Sequence, residues 1–341
     1  MTSRPLAPTP YRPLRILATG ISTPARWLDS HELDAALRLP AGTTQARTGV
    51  ARRGVEPERN AAEVGAEAAR EALRRAGLGL DAIDAVVCAS ASQDQAMPCN
   101  AALLHRALGM RSVPAFDINA SCIGFLMALD VVASLLATAR YRRVLIVSCD
   151  LASRALDPND LDTYGLFGDG AAAVVVEAGT DANTASASRL LAARFETWSE
   201  AAHACEIPGG GSRLTPARHV GDYRDVCNFR MDGKRLYRAV AEQFDRFVED
   251  LLRDAGLGID AIDRVIPHQA SALGMAHVFK RIAVPRERIE DIFEQYGNQV
   301  SASLPTALHH ALDHGRLRVG DTAMLIGTAA GVTLGGTVLR L

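Results

Sequence analysis

One stretch of this chain is written twice. Residues 73–84 read LRRAGLGLDAID and residues 252–263 read LRDAGLGIDAID, identical at ten of twelve positions and 179 residues apart in a chain of 341. Helically spaced apolar residues precede each copy, in AAEVGAEAAREA and VAEQFDRFVED. An apolar run that suits a buried strand follows each, AVVCAS in one case and RVIPHQ in the other. Each half is therefore expected to contain helix, glycine turn, aspartate turn and strand. The alternative is chance likeness between two helix-to-strand connections, since AGL and D-x-I-D suit such turns. A solenoid is excluded, because its period is roughly 20–50 residues. Two fused α/β halves fit the spacing, and the chain is long for one core.

Further buried strands are expected at RVLIVSCD (143–150), AAAVVVEA (171–178) and DTAMLIGT (321–328). The run 122–141, CIGFLMALDVVASLLATARY, is apolar on nearly all sides and of helical length. Such a helix belongs at the centre of a molecule or at an interface. The small, polar stretch GTDANTASAS (179–188) marks the boundary, giving halves at 15–183 and 184–341 behind a proline-rich tail, 1–14. The glycine-rich region 207–223 is either a lid or a set of turns.

Composition removes several classes. Lys and Arg total 37 against 39 acidic residues, so nothing resembles the basic excess of a nucleic-acid binder. Aromatic residues are only 5%, too few for a base-stacking platform. No run approaches the ~18 apolar residues of a membrane span, and the N-terminus lacks the apolar core of a secretory signal. The six cysteines have no C-x-x-C spacing, which argues against zinc and disulfides and for a reducing cytoplasm.

Cys122 stands apart from the other cysteines. It follows a strand-like VPAFDI and the turn NAS, and it opens the apolar helix. A thiol at a helix N-terminus meets the positive end of the helix dipole and free N–H groups. Those N–H groups can also receive a developing oxyanion. A small buried core cysteine is the other reading of this position. Among nine histidines, His268 directly ends the strand RVIP, where α/β sheets place their chemistry. Its repeat equivalent is Ala89, so duplication alone does not explain a histidine there. His309, His310 and His314 read as helical surface residues. Asn298, in YGNQVSAS, has turn chemistry as its plain explanation.

Taken together, DINASCIGF, VIPHQAS, YGNQVSASLPTAL and GTAAGVTLGG occur in an order that resembles β-ketoacyl-acyl-carrier-protein synthase III and its relatives. FGDGAAAVVVE, RTGVARR and CDLASRALDPND extend the likeness from about residue 15 to the C-terminus. The resemblance implies a duplicated thiolase fold, α/β with five layers, αβαβα. It implies that Cys122 takes a primer acyl group, while His268 and Asn298 bind the thioester oxygen of a malonyl unit as it decarboxylates. The backbone N–H groups of Cys122 and Ala330 would form the oxyanion hole. No cofactor or metal is implied, only acyl-coenzyme A or acyl-carrier-protein thioesters.

The resemblance also implies a homodimer, in which Met97, before Pro98, would reach the partner's acyl pocket. Arg47 and Ser271 are the remaining substrate-binding candidates, and Arg238, Lys280 and Arg281 are candidates for docking an acidic carrier protein. Departures are equally specific. The adenine clamp of the housekeeping enzyme falls on Thr43 and Leu161, a pantetheine-channel Asn on Ser271, and a carrier-protein Arg on Leu273. Weaker recognition of coenzyme A is therefore expected, with a lean towards a specialised pathway. Met97 stands where head-to-head condensing relatives carry a Glu base, and the retained Asn298 favours carbon–carbon bond formation. Acyl transfer to a hydroxyl or amine is one alternative. A non-catalytic partner subunit is another, although such subunits usually lose residues that this chain keeps.

Overall fold

The computed structural model describes residues 11–179 and 188–341. Two mixed five-stranded sheets form the frame. The first runs in the order Arg15–Ile21, Gly170–Glu177, Arg143–Asp150, Ala85–Cys88, Ala115–Asp117. The second runs Arg12–Pro13, Arg189–Thr197, Thr333–Arg340, Thr322–Ala329, Arg264–Pro267. A shift of 179 residues carries Ala85–Cys88 onto Arg264–Pro267 and Arg143–Asp150 onto Thr322–Ala329. It also carries the start of the helix Gly124–Ala137 onto that of the helix Ser303–Asp313.

The written repeat is the joint between helix and strand in each half. The helices Ala61–Ala76 and Phe244–Ala255 both end on a glycine in the left-handed region, Gly77 at φ 65° and Gly256 at φ 68°. A short 3₁₀ turn follows each. The closing aspartates then tie down the neighbouring strand. Asp84 accepts from the Arg142 and Arg143 amides, and Asp263 accepts from the Thr322 amide at 2.8 Å. The duplication is real in three dimensions.

Strand alternation sorts the core into layers. In the first sheet Val86, Leu145, Val147 and Val175 pack outward in the cluster that holds Ala68, Ala72 and Leu104 of the helices Ala61–Ala76 and Asn100–Leu108. Val87, Ile146, Val174 and Val176 pack inward with the two central helices, which also meet Ile266, Ala323, Leu325 and Leu339 of the second sheet. The outer face of that sheet, with Val265, Met324, Ile326 and Val338, lies under Phe244–Ala255 and Ala272–Arg281. The stack is αβαβα. Burial between two sheets is why Gly124–Ala137 is apolar on nearly all sides, Asp130 and Ser134 excepted. No helix among the described residues is long and apolar enough to cross a membrane.

Two expectations need amendment. Residues 12 and 13 fall within the segment read as a tail, yet they pair with Leu190 and Arg189. The Arg12 guanidinium also donates to the Asp130 carbonyl and the Ser134 hydroxyl, both at 2.7 Å, anchoring this entry strand to a central helix. His309 is buried rather than on the surface, with Nδ1 2.9 Å from the Thr19 hydroxyl, because its helix is a central one. His310 is half-buried against the Tyr296 hydroxyl, and only His314 is exposed. The boundary at 183/184 lies outside the described residues.

Candidate active site

The strand Ala115–Asp117 leads into a tight turn before the helix Gly124–Ala137. Ser121 sits in the left-handed region at φ 50°, with its N–H donated to Asn119 Oδ1 at 2.9 Å. Cys122 follows, then the N-cap Ile123. The nucleophile candidate therefore lies just outside the helix, and the two amides after it are taken, Ile123 donating to the Ala120 carbonyl at 3.3 Å and Gly124 to the Ser121 carbonyl at 2.9 Å. A Cβ on Gly124 would stand 2.9 Å from the Ala89 carbonyl oxygen, so only glycine lets the helix begin against the sheet.

Cys122 opens on a cavity of about 1230 Å³ that His268, Asn298 and Ala330 also line. The separation in sequence of Cys122 and His268 closes at the strand Thr322–Ala329, which leads into Ala330 and lies against both segments, while the Asn298 carboxamide is tied to the Ala270 carbonyl, two residues beyond His268. A Cβ on Gly327 would meet His268 Cβ at 2.8 Å and Ile123 Cγ2 at 3.1 Å. The bare glycine lets imidazole and nucleophile segments approach across this strand.

Electrostatics define the resting state. Cys122 is half-buried in the cavity wall, and the loss of bulk water around it pushes its thiol pKa up to about 12. The Asp150 carboxylate and the Cys205 thiol push the same way, against the backbone N–H groups of Cys122 and Ala330, which favour thiolate. His268 is 6% exposed, and burial alone pulls its pKa down to about 4. At neutral pH the pair is thus thiol and neutral imidazole, with no preformed ion pair. The His268 amide donates to the Ile326 carbonyl at 2.8 Å, and its Nδ1 is buried without a partner among the described residues.

Asn298 follows Gly297, whose φ of 64° turns the chain. Its side-chain oxygen accepts from the Val300 amide at 2.8 Å, and Nδ2 donates to the Ala270 carbonyl at 3.0 Å. One N–H of the carboxamide remains free to donate. What reads in sequence as turn chemistry is the clamp that orients this group beside His268.

The other candidates separate. Arg47, Ser271 and Arg238 line the same cavity. Arg47 is held by Asp162 through two parallel bonds of 2.5 and 2.9 Å. The Ser271 oxygen caps the helix Ala272–Arg281, accepting from the Gly274 amide at 3.1 Å. Leu161 is buried, and the Thr43 hydroxyl donates to the Pro40 carbonyl, so neither offers a stacking surface. Met97 is 83% exposed and stands away from the cavity lining. Lys280 is exposed outside that lining, while Arg281 is taken up by Asp245. Of region 207–223 only Ile207 lines the cavity; the Tyr223 hydroxyl pins the rest, accepting from Gly210 N and donating to the Leu214 carbonyl. Sequence reading missed Asp150, Cys205, and the pair Tyr237 and His277, all in the lining. For Asp150 a signal existed: its repeat equivalent is Ala329, so duplication does not explain the acid. Among the described residues no cluster could hold a metal ion.

Comparison with known proteins agrees with this geometry. The family profile "3-Oxoacyl-[acyl-carrier-protein (ACP)] synthase III" matches residues 116–196, and its C-terminal counterpart matches 252–341. A β-ketoacyl-[acyl-carrier-protein] synthase III of Symbiobacterium thermophilum is 32% identical over 332 residues, covering 96% of this chain and 98% of that protein. The crystal structure of 3-oxoacyl-(acyl carrier protein) synthase III from Pseudomonas aeruginosa superposes with a TM-score of 0.85 at 32% identity, covering 96% and 98% of the two chains. That of the priming β-ketosynthase from the R1128 polyketide pathway does so with 0.85 at 26% identity, covering 97% and 95%. The chain belongs to the β-ketoacyl-acyl-carrier-protein synthase III family of thiolase-fold condensing enzymes.

Proposed function

We propose that Cys122 takes an acyl group from a thioester and passes it to the carbon of a malonyl unit held by His268 and Asn298. In the first half, sulfur attacks the thioester carbonyl. The oxyanion forms against the backbone N–H groups of Cys122 and Ala330, and the donor leaves as a thiol that takes the proton Cys122 gives up. Because the resting group is a thiol, this proton moves as the donor binds, and the donor's carbonyl is polarised by the same amides. In the second half, His268 and Asn298 donate to the thioester oxygen of a malonyl group. Carbon dioxide departs, and the electron pair becomes an enolate. The enolate carbon attacks the acyl carbonyl, and the carbon–sulfur bond to Cys122 breaks. A neutral His268 suits this role as a donor that remains uncharged.

The observation that carries this reading is the convergence of thiol, imidazole, carboxamide and the Ala330 amide on one cavity. Detection of carbon dioxide released from malonyl-carrier protein tests it, after intact-mass measurement of an acyl adduct on Cys122. An adduct without release identifies simple transfer to a hydroxyl or amine. No adduct identifies a silent subunit.

A carrier-protein thioester fits the mouth better than coenzyme A. Asp162 already occupies the Arg47 guanidinium, and no clamp for adenine is present at Thr43 or Leu161. This favours a priming role in a specialised pathway. Arg238 and Lys280 have no ion-pair partner among the described residues and would meet an acidic carrier. The exposed Met97 loop suits a homodimer in which each copy closes the other's acyl pocket. Six free cysteines suit a cytoplasmic setting.

A further inference from the structure

The two halves contain two corresponding helix starts, and only one carries a thiol. Shifting by 179 residues places Ser121 on Val300 and Cys122 on Ser301. Val300 lies at φ 53°, as Ser121 lies at φ 50°, so the strained turn is duplicated along with the fold. Each helix start is met by the strand end of the other half. Cys122 receives the Ala330 amide, just after Ala329, and Ser301 receives Asp150, which the same shift places on Ala329.

Asp150 is 1% exposed and lines the cavity. Its Oδ1 accepts from the Ala91 amide at 3.1 Å, the Ser92 amide at 2.7 Å and the Ser92 hydroxyl at 2.6 Å. Its Oδ2 accepts from the Ser301 amide at 3.1 Å and from the Ser301 hydroxyl. From the first group the path continues to the nucleophile. The Ala91 carbonyl accepts from Asn119 Nδ2 at 3.2 Å, and Asn119 Oδ1 holds the Ser121 amide. From the second group it continues to Asn298, whose side-chain oxygen holds the Val300 amide next to Ser301. One carboxylate thus joins the two turns that carry the reacting groups.

We propose that Asp150 is a positioning residue of the reaction: its buried carboxylate ties the Asn298 turn to the Cys122 turn and sets a fixed negative charge beside the nucleophile. The charge opposes thiolate at rest, which reserves the sulfur for a bound thioester. The other titratable groups around this corner are Cys205 and His268 in the cavity wall, Cys88 and Cys149 behind the carboxylate, and Asp94, Asp117 and Asp169. The proposal rests on Cys122 as nucleophile.

Two variants of the full chain separate the two effects. In Asp150→Asn the rate of iodoacetamide labelling, mapped to Cys122 by mass spectrometry, rises about 10-fold at pH 7.5, and its pH profile moves down by about one unit. Ser301→Ala keeps the charge: the labelling profile stays, acyl loading of Cys122 persists, and carbon dioxide release from malonyl-carrier protein falls about 10-fold. An unmoved profile in Asp150→Asn overturns the proposal, and so does undiminished release in Ser301→Ala. If Asp150→Asn does not fold, Ser301→Ala decides alone. If Cys122 of the unaltered chain takes no acyl adduct from a thioester donor, the nucleophile reading itself falls, an outcome distinct from a profile that fails to move.

Discussion

At Arg47 and Asp162, two exposed side chains set what the cavity mouth offers an incoming donor. An exposed ion pair adds little to stability, but it removes the cation from any phosphate that arrives. Asp162→Ala frees the guanidinium and is expected to lower KM for an acyl-coenzyme A donor by about 3- to 10-fold, with kcat little changed. Steady-state kinetics with coenzyme A and carrier-protein donors side by side check it. The two half-reactions also separate by residue. Asn298→Ala removes a donor that acts only on the malonyl unit, so carbon dioxide release should fall about 100-fold or more while Cys122 still loads. Stopped acyl-adduct measurements by intact mass read the loading step directly.

Elements meet closely where this fold has no room for a side chain. The strand Arg15–Ile21 packs beneath the helix Ala61–Ala76 at Gly20, where a Cβ would stand 2.4 Å from the Ala72 nitrogen and 2.5 Å from the Ala68 oxygen. Both atoms are helix backbone, so neither can swing aside. Gly20→Ala is expected to lose roughly 2–3 kcal/mol or more, read from the urea midpoint, because helix and sheet must part to admit the methyl group. The atoms nearest that Cβ belong to Ala68, Glu71 and Ala72, none of which lines the cavity, so loading of Cys122 in the folded fraction should persist.

Over the whole molecule, neutral histidines in buried and half-buried positions make stability depend on pH. His268 and His310 each have pKa values near 4 in the fold, against about 6.5 when unfolded, because burial disfavours the cation. The unfolded chain therefore binds more protons between pH 6.5 and 4, and stability falls as pH falls through that window. The combined loss is on the order of a few kcal/mol. Thermal melts across pH 4 to 7 check it, and His310→Gln should flatten the slope. Sedimentation tests the assembly: a dimer is expected, weakened by Met97→Asp.

Local patterns in the chain were enough for much of this. The repeated LRRAGLGLDAID and LRDAGLGIDAID marked the glycine cap and the aspartate turn, because these depend on neighbours a few residues away. Apolar runs placed Arg143–Asp150 and Thr322–Ala329, since strands buried on both faces are apolar throughout. Cys122, His268 and Asn298 were legible as motifs. Their meeting was not derivable from spacing, because it depends on Gly327 letting the Cys122 and His268 segments approach and on the Ala270 carbonyl holding Asn298, all between segments far apart in the chain. The burial of His309, the pairing of Arg12 with the second sheet and the capture of Arg47 by Asp162 were likewise set only by packing. So was the hydrogen bonding of Asp150, whose donors come from both halves of the chain. Caps, turns and strands follow from short-range sterics and hydrophobic period, whereas charge and proton affinity follow from which distant groups close packing brings together.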